Sequence, residues 1–168
     1  GVFVVNISNP SNPQNLGQVN GTNNYILENL DAEGNLLAVA AHEDGVLLYD
    51  ISNPNNLNLL STIPLDNAWG VRIHNGLAYI ADDQNVKIYD VSDPENPNYV
   101  NVVETTNAVK DIALTESYMY VAIGSEGVNI YELSNSESPL LLDNFDTNTM
   151  ANRISVFDGK LAVSDWDD

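Results

Sequence analysis

The feature that most constrains this chain is its self-similarity at a period close to 42 residues. GVFVVNIS begins at Gly1, GVLLYDIS at Gly45, NVKIYDVS at Asn85 and GVNIYELS at Gly127, and four such periods account for the 168 residues. A period in the range of roughly 20 to 50 residues signals stacked units, each of which buries its apolar faces only against its neighbours. A proline- or asparagine-rich cluster follows each copy: Ser8-Asn9-Pro10, Ser52-Asn53-Pro54, Ser92-Asp93-Pro94 and the looser Ser134-Asn135-Ser136. Proline fixes φ and removes a donor, and Asn or Asp bonds its own backbone two residues on, so these clusters end a strand and reverse the chain. A short strand then follows, near Leu16, Leu59, Tyr99 and Leu140.

Two more strands complete each unit. In the segment from Gly70 to Ala81, Asn75-Gly76 separates two alternating apolar runs, the strongest short hairpin signal. Asp158-Gly159 and Glu33-Gly34-Asn35 serve the same place in other copies, and Thr115-Glu116-Ser117 departs from it. Within the Gly45 copy, Leu47, Tyr49 and Ile51 alternate with Val46 and Leu48, so the strand is apolar on both faces, as a sheet sandwiched between two others requires. Four short antiparallel strands per unit and no helical periodicity predict an all-β fold, a β-propeller of four-stranded blades, read as a single domain over residues 1–168.

Ala78-Tyr79-Ile80-Ala81-Asp82, Tyr49-Asp50-Ile51-Ser52-Asn53-Pro54 and Tyr89-Asp90-Val91-Ser92-Asp93-Pro94 resemble the units of the bacterial LVIVD-repeat family. The resemblance runs over essentially the whole chain. It implies a propeller, a secreted or cell-surface setting and larger relatives, and it brings no catalytic residues with it. The phase of the repeat divides the sequence into three whole blades and two complementary half-blades, residues 1–22 and 149–168. Those halves either join into one composite blade or meet copies of themselves or further blades.

Composition limits the partners. Five Lys+Arg stand against 24 Asp+Glu, a net charge of −19, so nucleic acid and anionic lipid surfaces are repelled. No run of apolar residues reaches the length of a membrane helix, so direct insertion is not expected. Without cysteine there are no disulfides, thiolate nucleophiles or cysteine-ligated metals. No Ser-His-Asp order, phosphate-cradling glycine loop or glycosidase-like carboxylate pair stands out. Asn6-Ile7-Ser8 and Asn20-Gly21-Thr22 fit the glycosylation sequon, which an Asn-rich chain generates by chance.

Recurring polar positions have structural readings first. Asn6, Asp50, Asp90 and Glu132 close each third strand and are expected to accept backbone NH groups of the following turn. His42 and His74 read as solvated turn residues. Glu43-Asp44, Asp82-Asp83, Glu126 and Asp165 read as solvated hairpin tips; calcium at Asp165, Asp167 and Asp168 is the strongest of the cation alternatives, although the spacing is not that of a calcium loop. Asn23, Asn67, Asn107 and Asn148 recur just before each inner strand, either capping turns or ringing one mouth of the central channel. Next to them the residues vary, and Tyr25, Trp69 and Arg72 are the positions where ligand specificity is expected.

The sequence therefore points to a non-catalytic, extracellular or cell-surface propeller module. It binds protein or glycan, or assembles with copies of itself through the half-blades. The alternatives are a carboxylate-based hydrolase or lyase at the channel mouth, and a structural spacer within a giant surface protein.

Overall fold

The computed structural model describes residues 1–19, 21–54 and 56–166. Among the described residues, sixteen strands form five antiparallel sheets. Strands β1 (Phe3–Asn6) and β2 (Gln14–Gln18) form a two-stranded ribbon. Blade 1 contains β3 (Asn29–Glu33), β4 (Leu36–Ala40), β5 (Val46–Asp50) and β6 (Asn58–Ile63), paired in that order. Blade 2 repeats the meander with β7 (Ala68–His74), β8 (Leu77–Asp82), β9 (Asn85–Asp90) and β10 (Asn98–Glu104). Blade 3 has β11 (Asp111–Leu114), β12 (Tyr118–Ala122), β13 (Val128–Glu132) and β14 (Leu140–Phe145), and β15 (Met150–Phe157) with β16 (Lys160–Trp166) forms the last ribbon. The three whole blades and two half-blades expected from the repeat phase are present, with a 3-10 turn at Thr22–Asn24. The composite blade is not: β1–β2 and β15–β16 are separate sheets, and among the described residues no ladder joins β16 to β1.

Alternation places the cores between blades rather than under a sheet. Leu47 and Tyr49 of β5 pack with Val2, Val19, Leu37 and Val39 against the first ribbon, while Val46 and Leu48 pack with Val71, Ile73 and Ile80 against blade 2. Tyr79, Ile88 and Val86 then meet Ile112, Met119 and Tyr131 between blades 2 and 3. Burying both faces of each central strand removes water from apolar area at about 25 cal/mol per Å², the main driving force of the stack.

Local chemistry fixes the turns. Asn75 and Gly76 take φ of 52° and 76°, the left-handed pair that a two-residue hairpin needs. Gly45 (φ 78°) and Gly127 (φ 80°) open their third strands pressed against a neighbouring backbone, since a methyl built at either would stand 2.1 Å from the carbonyl oxygen of Ile63 or Phe145. The turn-accepting role of the strand-closing residues holds: Asn6, Asp50 and Asp90 accept from the NH of Ser8, Ser52 and Ser92 at 2.9, 2.8 and 2.9 Å. Glu132 takes the Ser134 hydroxyl instead, at 3.1 Å.

Candidate functional site

Blades are joined by their main chains at one recurring position. His42, Asp83 and Gly124 all take positive φ (51°, 54° and 62°), which turns each carbonyl toward the next blade. There it accepts the NH of Ala68 at 3.0 Å, of Val109 at 2.8 Å and of Ala151 at 3.0 Å. His42 is therefore not a solvated turn residue: it is half-buried at the seam between blades 1 and 2, with its ring against Trp69 edge to face at 4.9 Å. Asp82 likewise departs from the hairpin-tip reading. It is the buried last residue of β8 and pairs with Lys87 at 2.5 Å, which holds the lysine pKa above its ordinary value.

The innermost strands β3, β7, β11 and β15 lie one against the next and line the axis, and there the repeat gives way to a set of unlike polar residues. Arg72 donates through Nη1 to Asn29 Oδ1 at 2.6 Å and to the Val71 carbonyl at 2.9 Å, and through Nη2 to Asp111 Oδ1 at 3.0 Å. Asp111, buried, accepts in addition from the NH of Ile112 (2.9 Å) and of Ile154 (3.0 Å), so one carboxylate ties three strands together. Asp31 accepts from the NH of Ile73 at 2.8 Å, and Glu33 from those of Asn75 and Gly76 at 3.1 and 3.3 Å. Beside them Asp31, Arg72, His74, Leu114 and Ser155 border a cavity of about 330 Å³. His74 sits there 3.7 Å from Glu116, and is an axial rather than a solvated residue.

The other expected site residues do not converge. Asn23 is exposed and bonded to Gln18, and Tyr25 packs into the core between the first ribbon and blade 1. Asn67 is half-buried just before β7, Asn107 bonds Ser125 at 3.0 Å and the NH of Ala108 at 2.8 Å, and Asn148 takes a φ of 68° in a turn closed by Asp146. The four thus differ in their surroundings: the Asn107 side chain caps its own turn, whereas Asn148 is held through its backbone NH. Trp69, 39 % exposed, lies at a bulge in β7, three residues before Arg72. Asp165 is an exposed strand residue opposite Ala151, and Asp167 and Asp168 lie outside the described residues, as does Asn20 of the second sequon. Among the described residues no three His, Asp or Glu side chains stand together to hold a metal ion.

A family model described as LVIVD repeat matches residues 1–21, 28–63, 66–105 and 108–147. The chain belongs to the LVIVD-repeat family. The LVIVD units matched over 28–63, 66–105 and 108–147 each coincide with one whole blade, from its innermost to its outermost strand, and the first unit coincides with the ribbon β1–β2. No curated protein matches the chain by sequence. Among solved structures, the computationally designed Ika4 protein is similar at a TM-score of 0.68 with 11 % identity, over 90 % of this chain and 92 % of Ika4. The designed Ika8 protein gives 0.67 with 11 % identity, over 91 % of this chain but 46 % of its own length. Saccharomyces cerevisiae Sqt1 gives 0.65 with 8 % identity over 78 % of this chain and 38 % of that one. At such identities the likeness establishes the propeller fold alone, and this LVIVD-repeat chain spans less than half of Ika8 and of Sqt1.

Proposed function

We propose that this LVIVD-repeat chain is a non-catalytic β-propeller module of the cell exterior whose work is protein binding and scaffolding, and that its partner in isolation is a second copy of itself. One observation carries the reading: apolar positions that are covered between blades lie open at both ends of the stack. Val100 and Val103 of β10 pack against blade 3, and Ile63, at the place of Val103, is wholly buried against blade 2. Their counterparts on β14, Leu142 and Phe145, are 51 % and 58 % exposed. At the opposite end Phe3 and Val5, the counterparts of the buried Leu47 and Tyr49, are 58 % and 45 % exposed. The two faces are different and complementary in kind, so they fit head to tail, with β14 of one copy against β1 of the next, rather than through a two-fold contact.

The axial polar groups support a non-catalytic reading. The donors of Arg72 and the carboxylates of Asp31 and Asp111 are engaged with one another and with backbone, leaving few free groups to act on a substrate. The acidic surface suits an exterior protein that must stay soluble, and it sets a condition on assembly. Copies each carrying −19 repel, and salt screens that repulsion over a Debye length of about 8 Å near physiological strength.

Light scattering coupled to size exclusion tests the proposal. The chain is expected to associate with rising concentration, more strongly in salt, and Phe145→Asp is expected to leave it monomeric. A compact monomer at every concentration and salt level overturns the assembly reading.

A further inference from the structure

The seams between blades repeat, but one of them holds an apolar pocket where the next has a polar groove of about 420 Å³. At the turn-bearing side of the seam between blades 2 and 3, Tyr79 reaches across and donates its hydroxyl to the Ser136 carbonyl at 3.0 Å, so a phenol ring from the chain itself fills the gap. Its counterpart in blade 1 is Ala38, which lies in the same strand position facing blade 2. The carbonyl equivalent to that of Ser136 belongs to Pro94, and it accepts instead from Ser61 Oγ at 2.6 Å. With a methyl where the neighbouring seam holds a ring, the seam between blades 1 and 2 has a cavity of about 510 Å³, within the range of small-molecule sites. Leu36, Leu60, Ile73, Val91 and Pro94 supply its apolar lining. Around the mouth stand Glu33, Asp50, Asp93 and Glu95, and among the described residues no Lys, Arg or His lines it. The groove at the next seam is walled by turn residues such as Ser92, Ser134 and Asn135, with Leu77 as its apolar member.

We propose that the cavity between blades 1 and 2 is a binding site for a small arylalkylamine, its ring taking the space that Tyr79 fills in the next seam and its ammonium meeting the carboxylate rim. The chemistry is complementary on both counts. Apolar walls desolvate a ring at little cost, and four carboxylates without a counter-cation favour a compact, strongly hydrated charge held at the wet edge. Glu33, Asp50 and Asp93 already accept one or two backbone or side-chain donors each, which fixes their orientation and leaves lone pairs for a further donor. The site is independent of the assembly reading, because it lies between two complete blades and away from the exposed faces of β1 and β14.

Tyramine is the probe, titrated into the intact chain and followed by methyl chemical shifts of Leu36, Leu60, Ile73 and Val91. A ligand of this size is expected to saturate at roughly millimolar concentration. 4-Ethylphenol, the same body without the charge, is expected to bind about fivefold more weakly, and Glu95→Lys to weaken tyramine by a similar factor. Ala38→Tyr fills the space from within and is expected to abolish the shifts. Where that variant does not fold, the Glu95→Lys comparison decides. Tyramine shifts that do not saturate, that fall elsewhere, or that are indifferent to both the charge of the ligand and Glu95→Lys overturn the proposal.

Discussion

Replacing Gly45 by alanine, compared with the same change at Gly34, separates two costs that coincide in most glycine substitutions. Both residues have left-handed backbone, with φ of 78° and 60°, so each alanine carries the penalty of holding an L-residue there, about 1 kcal/mol. At Gly34, in the hairpin between β3 and β4, nothing lies within 4 Å of the added methyl, and the cost stops there. At Gly45 the methyl would stand 2.1 Å from the Ile63 carbonyl oxygen and 2.8 Å from the Leu65 nitrogen. Both are backbone atoms, so the end of the β5–β6 ladder must retreat by more than an ångström, at a further cost of about 2–3 kcal/mol in disturbed buried hydrogen bonding and packing. For a chain of this length a kcal/mol moves the midpoint by about 2–4 °C, so Gly34→Ala is expected to lower Tm by about 2–4 °C and Gly45→Ala by about 6–16 °C. Urea denaturation followed by circular dichroism gives the two free energies directly. Losses within about 0.5 kcal/mol of each other would refute the claim that close backbone approach, rather than φ alone, selects glycine at the head of the third strand.

Two smaller changes probe the seams and the turns. Tyr79→Phe removes the hydroxyl that crosses to Ser136 while leaving the ring in place, and is expected to cost about 1 kcal/mol in chemical denaturation; no loss would mean the bond is not made in solution. Asp90 is held below its ordinary pKa first by the Ser92 hydroxyl and then by its backbone NH, and Asp50 by the Ser52 backbone NH and then its hydroxyl. A depressed folded-state pKa gives stability that is fully present above the unfolded value near 3.9 and is lost as pH falls through the folded one. Asp90→Asn keeps an accepting oxygen, as Asn6 does for Ser8, and is therefore expected to flatten the acid limb of the stability curve while changing little at neutral pH. An unchanged acid limb would show that Asp90 titrates alike in both states.

The blade was legible in the sequence because its determinants are local. Strand alternation, the Asn75-Gly76 turn and the Asp50-to-Ser52 cap all act within a few residues, and each recurs, so one copy checks another. What acts between blades was not legible. Arg72 appears as a candidate binding residue, but the partners that occupy it, Asn29 and Asp111, lie 43 and 39 residues away on strands whose relative turn the repeat does not encode. His42 looks like a turn residue and is one; that its turn is pressed into the next blade depends on a left-handed φ that only a neighbouring strand makes visible. Asp82 belongs to an acidic pair in the sequence, yet one member faces Lys87 across a strand while the other turns outward. That the seam between blades 1 and 2 has Ala38 where the next has Tyr79 shows in the sequence only once the two are recognised as the same position.

The inner strands are fastened by carboxylates that grip the main chain of the following blade, Asp31 on the NH of Ile73 and Asp111 on that of Ile154. A contact made to an amide is indifferent to the side chain the receiving residue bears. At these two joints a blade offers its successor a coupling that any blade of the same backbone can accept, so neighbours there can diverge, be duplicated or be exchanged without a matching change, whereas blades 2 and 3 also meet through the matched pair Arg72 and Asp111. A stack fastened this way can lengthen by whole units while its individual blades acquire separate tasks.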